Sequence, residues 1–303
     1  MHHRILTFFL APLLLVGFAA CDSDDPDPDP GVQDIVALAQ DTPQLSTLVT
    51  ALTEADLVST LQGDGPFTVF APVNDAFANL PDGALDALLA EGNEAILQKV
   101  LTYHVVPGRI LAEDLVDGQT VTTVEGSTLT IDLDGGATVN GVAITTTDIE
   151  ATNGVVHLID GVLTQNLDIT EVATVRGFDT LVAALDAANL VGALQAAGPF
   201  TVFAPTEQAF ADLLEALDVT AEELLARDDL ADILTYHVVE GEAFAADLSD
   251  GQVLTTLQGG TLTVQIDGGA VSLVGASNTV DVVLPDVDAS NGVIHAIDAV
   301  LLP

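Results

Sequence analysis

The feature that most constrains this chain is that it repeats itself. Residues 65–72 read Gly-Pro-Phe-Thr-Val-Phe-Ala-Pro, and the same stretch returns at 198–205, an offset of 133 positions. A second signature, Leu-Thr-Tyr-His-Val-Val, keeps that offset at 101–106 and 234–239. A third, Asn153-Gly154-Val155-Val156-His157 against Asn291-Gly292-Val293-Ile294-His295, lies 138 apart, which places a five-residue insertion among the last strands of the second copy. Ordered signatures at a near-constant offset mean one folding unit written twice. The expected division is 32–165 and 166–303, preceded by segments 1–21 and 22–31. Units of roughly 130 residues are of ordinary domain size and bury about two-thirds of their unfolded surface. Only a few residues separate the copies, so they are expected to lean on one another rather than swing freely.

Within each copy the pattern changes character half-way. Ile35, Leu38, Leu45, Leu48, Val49, Leu52, Leu57, Val58 and Leu61 fall at spacings of three and four, broken at Pro43, which predicts two or three short helices. Gly65-Pro66 stops helix formation, and Phe67-Thr68-Val69-Phe70 predicts a strand apolar on both faces, hence buried on both. Asn74 is the expected cap of the next helix because Val73 offers no acceptor; Thr206 fills that role in the second copy. After Pro107-Gly108 come short runs rich in Val, Thr and Ile at 120–124, 128–133, 138–139, 142–146 and 155–159, punctuated by Gly-bearing turns. The fold class is therefore α+β: a β-sandwich-like core with several short helices packed on one side, present twice in tandem. Aromatics are 4% of residues and Trp is absent, so the cores must be built from Ala, Val, Leu and Ile.

Charge excludes whole classes of partner. Forty-six Asp and Glu face five Lys and Arg, a net of -41. Nucleic acid needs phosphate-neutralising cations and is ruled out; anionic lipid headgroups are disfavoured for the same reason. Such a surface repels itself in dilute buffer, where the screening length is about 10 Å at 0.1 M salt but about 3 Å at 1 M. The composition thus predicts a surface adapted to high salt and a melting temperature that rises with salt.

The first residues read as an export signal. His2, His3 and Arg4 precede an apolar run from 5 to 20, too short and wrongly flanked for a stable span. The run ends Phe18-Ala19-Ala20-Cys21, with the chain's one cysteine last. This resembles the bacterial lipoprotein box, although Phe18 stands where Leu is usual, and it implies lipidation of Cys21. Residues 22–31 are Asp-rich and alternate Asp with Pro from 25 to 30, a pattern that cannot form helix or sheet and should be an extended spacer of roughly 3 Å per residue.

The repeated signatures themselves resemble the fasciclin domain. Thr68-Val69-Phe70-Ala71-Pro72 with Ala76-Phe77, then Tyr103-His104, then residues 153–163 match its three ordered motifs. The second copy carries all three: 201–205 with Ala209-Phe210, Tyr236-His237, and 291–301. Val73 stands where the family has Thr and Glu207 where it has Asn, which should leave helix starts less well capped. The resemblance implies a noncatalytic extracellular module used in adhesion or matrix contact. It also implies that Tyr103, His104, Tyr236 and His237 are candidate partner-binding residues, since the motif is implicated in adhesion in animal relatives. A competing expectation for these pairs is packing at a helix-to-strand junction. Phe70, Pro72, His157 and Asp160, with Phe203, Pro205, His295 and Asp298, are expected to be structural.

Little else points to chemistry. With Cys21 lipidated no thiol remains, and Gly-x-Ser-x-Gly is absent. His104, His157, His237 and His295 could form one metal or ligand site per copy, but each sits among Val, Leu and Ile, where a buried neutral imidazole is the expectation. Asp132, Asp134, Asp286 and Asp288 alternate as calcium ligands can, yet turns and an acidic surface account for them. No metal, cofactor or catalytic residue is expected. The reading is a lipid-anchored cell-envelope protein that meets an extracellular protein or glycan matrix, touching membrane only through its anchor. A carrier of an apolar small molecule is the alternative.

Overall fold

A computed structural model describes residues 33–303. The export signal, Cys21 and the Asp/Pro spacer lie outside the described residues.

Each copy is a seven-stranded sheet with helices on its outer face. The first sheet comprises β1 (Phe67–Pro72), β2 (Val105–Pro107), β3 (Thr120–Thr122), β4 (Thr128–Asp132), β5 (Thr138–Val139), β6 (Val142–Ala151) and β7 (Gly154–Ile159). Their spatial order is β2-β1-β7-β6-β5-β4-β3. The second sheet comprises β8 (Phe200–Pro205), β9 (Val238–Glu240), β10 (Val253–Thr255), β11 (Thr261–Asp267), β12 (Ala270–Val274), β13 (Thr279–Ala289) and β14 (Gly292–Ile297), in the same spatial order. The sheet curls until its two ends meet: the N–H of Val124, just past β3, donates to Val105 O at 2.7 Å, and Leu257 N–H donates to Val238 O at 2.7 Å. Closure leaves fewer unpaired edges to the solvent.

β1 lies inside this arrangement. It runs antiparallel to β2 and parallel to β7, and everything from Thr68 to Pro72 is buried. Its side chains alternate, as a strand's must. Val69 and Ala71 join the helix-side core, while Phe70 enters the inner core of the curled sheet with Tyr103, Leu129, Ile131 and Ile159. β8 divides itself the same way around Phe203. The inner cores are separate in the two copies, whereas one apolar cluster runs through the helical halves of both. The Lys99 ammonium meets the Glu171 carboxylate across that contact at 2.6 Å, and Asn166 Nδ2 donates to Lys99 O at 3.1 Å.

The helical runs fall as predicted, in short pieces: Ile35–Asp41, Pro43–Leu45, Ser46–Glu54 and Val58–Leu61. Two local expectations are corrected. β6 extends to Ala151, five residues past the predicted end, because two register shifts let it bend and keep pairing with β7. Asn74 does not cap the helix Asn74–Ala78: Val73 occupies the cap position without a side-chain bond. The Asn74 side chain instead secures the start of Ser46–Glu54, accepting from Thr47 N at 3.0 Å and donating to Pro43 O at 2.9 Å. Glu207 does the equivalent work in the second copy, accepting from the N–H and hydroxyl of Thr180. Thr206 caps its own helix, accepting from Ala209 N at 3.2 Å.

Candidate functional site

The three repeated signatures are three neighbours in space. Phe70 N–H donates to His104 O, and Phe67 N–H to Asn153 O, both at 3.0 Å, so the first signature is held between the second and the third. Gly65 and Gly154 permit that approach: a Cβ on Gly65 would overlap Asn153 O, and one on Gly154 would overlap Phe67 O. The same contacts recur as Phe203 N to His237 O and Phe200 N to Asn291 O.

Tyr103 ends the helix Glu94–Tyr103, His104 caps it, and β2 begins at Val105. This junction lies inside the protein, with Tyr103 3% and His104 2% exposed. The Tyr103 hydroxyl donates to Thr128 O at 3.1 Å and accepts from Asn140 Nδ2 at 2.7 Å; burial raises its pKa above the ordinary phenol value. His104 Nδ1–H donates to Val100 O at 2.7 Å while Nε2 accepts from Leu163 N at 3.0 Å. Both ring nitrogens are thus spent, one on the helix before the junction and one on the segment that closes the domain. Desolvation outweighs the Val100 bond and lowers the His104 pKa to about 4. In the second copy Tyr236 donates to Thr261 O and accepts from Ala276 N, and His237 bonds Ile233 O and Leu301 N, with its pKa also lowered to about 4 by desolvation. The candidate partner-binding residues Tyr103, His104, Tyr236 and His237 therefore present no side chain for direct contact, because burial and internal bonds occupy them.

The other motif residues also serve the interior. His157 Nε2–H donates to Ile110 O at 2.9 Å, its Nδ1 accepts from Asp148 N at 3.2 Å, and its ring lies 5.5 Å from that of Phe70. His295 repeats this with Ala243 O, Asp286 N and Phe203. Asp160 accepts from Ala143 N and Asp298 from Asp281 N, pinning the strand before each. Pro72 and Pro205 close β1 and β8 opposite Ile159 and Ile297. Asp132 accepts from Asp134 N within its turn, and Asp286 accepts from Ala245 N. Among the described residues no group of three His, Cys, Asp or Glu is placed to hold a metal.

Sequence reasoning missed several fasteners. Thr68 is wholly buried; its hydroxyl donates to Gly108 O at 2.8 Å and accepts from Ile110 N at 2.9 Å, and Thr201 does the same with Gly241 and Ala243. The Asn153 side chain accepts from Ile35 N and donates to Leu61 O and Gly63 O, tying the first helices to β7. Their identity in both copies was the available signal.

Two spaces remain. An apolar cavity beneath the first helices, lined by Ile35, Leu48, Val69, Phe70 and Val156, measures about 20 Å³, room for about one water. An open polar groove of about 520 Å³ is bordered by Asp34, Gln62, Asp64, Arg109 and Asn153, with Arg109 paired to Glu150 at 2.7 Å.

Comparison with known families now bears on this geometry. The family model described as Fasciclin domain matches residues 43–165 and 176–303, once per copy. The chain belongs to the fasciclin family. Among its relatives, pig transforming growth factor-beta-induced protein ig-h3 is 36% identical over 252 residues, covering 80% of this chain and 35% of that protein. The chain thus spans about a third of the length of this relative. A Synechocystis protein, sll1483, is 48% identical over 129 residues, 43% of this chain and 72% of its own length. Among solved structures, a FAS1 domain pair from the insect cell adhesion molecule fasciclin I covers 86% of this chain and 97% of its own, at 19% identity and a TM-score of 0.42. No helix among the described residues is long and apolar enough to cross a membrane.

Proposed function

We propose that this tandem fasciclin protein is a noncatalytic interaction module of the cell envelope, lipid-anchored through Cys21 and held off the membrane by its Asp/Pro spacer. Its partner is an extracellular protein or glycan matrix. One observation carries the reading: the polar side chains that recur in the two copies, Tyr, His, Thr and Asn alike, are used up in bonds within the fold. Activity then belongs to the outer surface, which includes the polar groove beside Arg109. The carrier alternative needs an apolar space of several hundred Å³; the cavity of about 20 Å³ in the first copy does not provide it without opening.

The reading is tested by comparing adhesion, aggregation and matrix retention of cells with and without the gene. Loss of retention on deletion, and release of a Cys21→Ser variant into the medium, are expected. Unchanged adhesion and retention after deletion would overturn it.

A further inference from the structure

One surface difference between the copies lies at a bulge. In β6 and β13 the register to the neighbouring strand shifts twice over corresponding residues, between Ile144 and Ile149 and between Val282 and Val287. The backbone there is the same in both. Asp148 and Asp286 each adopt a left-handed conformation, with φ of 60° and 57°. Each accepts from a short-helix N–H, Ala112 or Ala245, and each donates its own N–H to the motif histidine. The three residues before that Asp are Thr145-Thr146-Thr147 in the first copy and Val283-Leu284-Pro285 in the second.

The fold is therefore satisfied by three threonines at this bulge and does not require apolar residues. Burial does not explain them either: Val283 is 56% and Leu284 44% exposed, and Pro285 is exposed too. Pairing of β13 with β12 stops at Asp281, so among the described residues no strand pairs with this edge. Exposed apolar residues left on an uncovered edge mark an interaction surface.

We propose that Val283, Leu284 and Pro285 form a docking surface, present in the second copy only, for a cationic segment of another protein that carries apolar side chains. Charge selects this occupant. Asp281, Asp286 and Asp288 flank the patch along β13 and are exposed, and the chain as a whole carries -41. A second copy would bring the same charge against it, while Lys or Arg flanking apolar side chains is complementary. Pro285 has no N–H, so recognition runs through side chains rather than through a continuous added strand. The inference rests on the interaction reading above and gives that reading a location and a partner chemistry.

The test uses the full-length protein and three labelled synthetic peptides, alternating Lys-Val, Lys-Ser and Glu-Val, followed by fluorescence anisotropy. Lys-Ser reports general attraction to an acidic surface, and the excess affinity of Lys-Val over it reports the apolar patch. That excess is expected to be at least about tenfold, with no binding of Glu-Val. The variant V283T/L284T/P285T installs the sequence that the first copy already accommodates; it should keep the melting temperature and the Lys-Ser affinity and lose the excess. An excess that survives the threonine substitutions would overturn the proposal, as would no excess in the wild type. A wild-type dimer in sedimentation that the threonine variant abolishes would put a second copy in the site and overturn the choice of partner. Cells carrying the threonine variant that still adhere normally would remove this site while leaving the interaction reading intact.

Discussion

The two copies agree inside and disagree outside. Phe70 and Phe203, His104 and His237, Thr68 and Thr201, and Asn153 and Asn291 make the same bonds to corresponding backbone groups, although the second copy carries a five-residue insertion among its last strands. At the surface, Arg109 paired with Glu150 gives way to Glu242 and Asp288, and Thr145-Thr146-Thr147 to Val283-Leu284-Pro285. A residue repeated because the core needs it says little about partners. One that changes while its backbone stays fixed says more.

The largest expected effect breaks the interior. Phe70 and Phe203 are fully buried in separate inner cores. Phe70→Ser or Phe203→Ser should each cost about 4 kcal/mol or more, combining a cavity with a buried hydroxyl. Calorimetry should show loss of the transition of the substituted copy first. Equal destabilisation of both transitions would mean that the inner cores are not independent.

Next come the histidines. His104→Asn or His237→Asn leaves a buried N–H and a buried carbonyl short of partners and should cost about 2–3 kcal/mol at pH 7. The pH dependence has a defined sign. The unfolded chain takes up a proton near 6.5 and the folded one at about 4, so between those values the unfolded state holds more protons. The contribution is full above pH 6.5 and is lost as pH falls towards 4, by up to about 1.4 kcal/mol per pH unit for each histidine. Wild type minus variant, from denaturant titrations at each pH, cancels the carboxylates shared by both. The gap should narrow on acidification; a constant gap would mean that the ring is not held neutral by burial.

A smaller effect concerns the seam between the copies. Lys99→Met removes a partly buried ion pair with Glu171 and should cost about 1 kcal/mol, drawing the two calorimetric transitions apart. The smallest effect sharpens the comparison by repair. Val73→Thr gives the first copy the cap that Thr206 gives the second, and should add about 0.5–1 kcal/mol of stability, read as a rise in the first-copy transition. No gain would mean that the Asn74 bonds to Thr47 and Pro43 already fix that turn.

How much of this was legible follows from which interactions are local. The repeat, the short helices and the doubly buried strand at Phe70 could be read because spacing and Gly-Pro punctuation act within a few residues. Curling of the sheet could not, since it depends on Val124 reaching Val105 and Leu257 reaching Val238. Asn74 was assigned to the wrong helix for a related reason: an amide beside a helix start was credited to that start, but it reached back to Thr47. The Tyr-His pairs carried two expectations, partner contact implied by the family motif and packing at a helix-to-strand junction, and their burial favours packing. Packing needs partners, and of these only Val100 is local, one turn back on the same helix; Thr128, Asn140 and Leu163 lie far along the chain and could not be assigned from spacing. The exposed Val-Leu-Pro was on view in the sequence, but only the shared bulge geometry shows that the fold does not demand it.

The central claim is that the repeated polar residues are scaffold, and the side-chain ¹⁵N shifts of His104 and His237 followed from pH 8 to pH 5 test it most directly. Both rings should remain neutral, protonated on Nδ1 and accepting at Nε2, with no titration step near 6.5. A midpoint near 6.5 at either residue would place that histidine in contact with solvent and return the Tyr-His pairs to the functional surface.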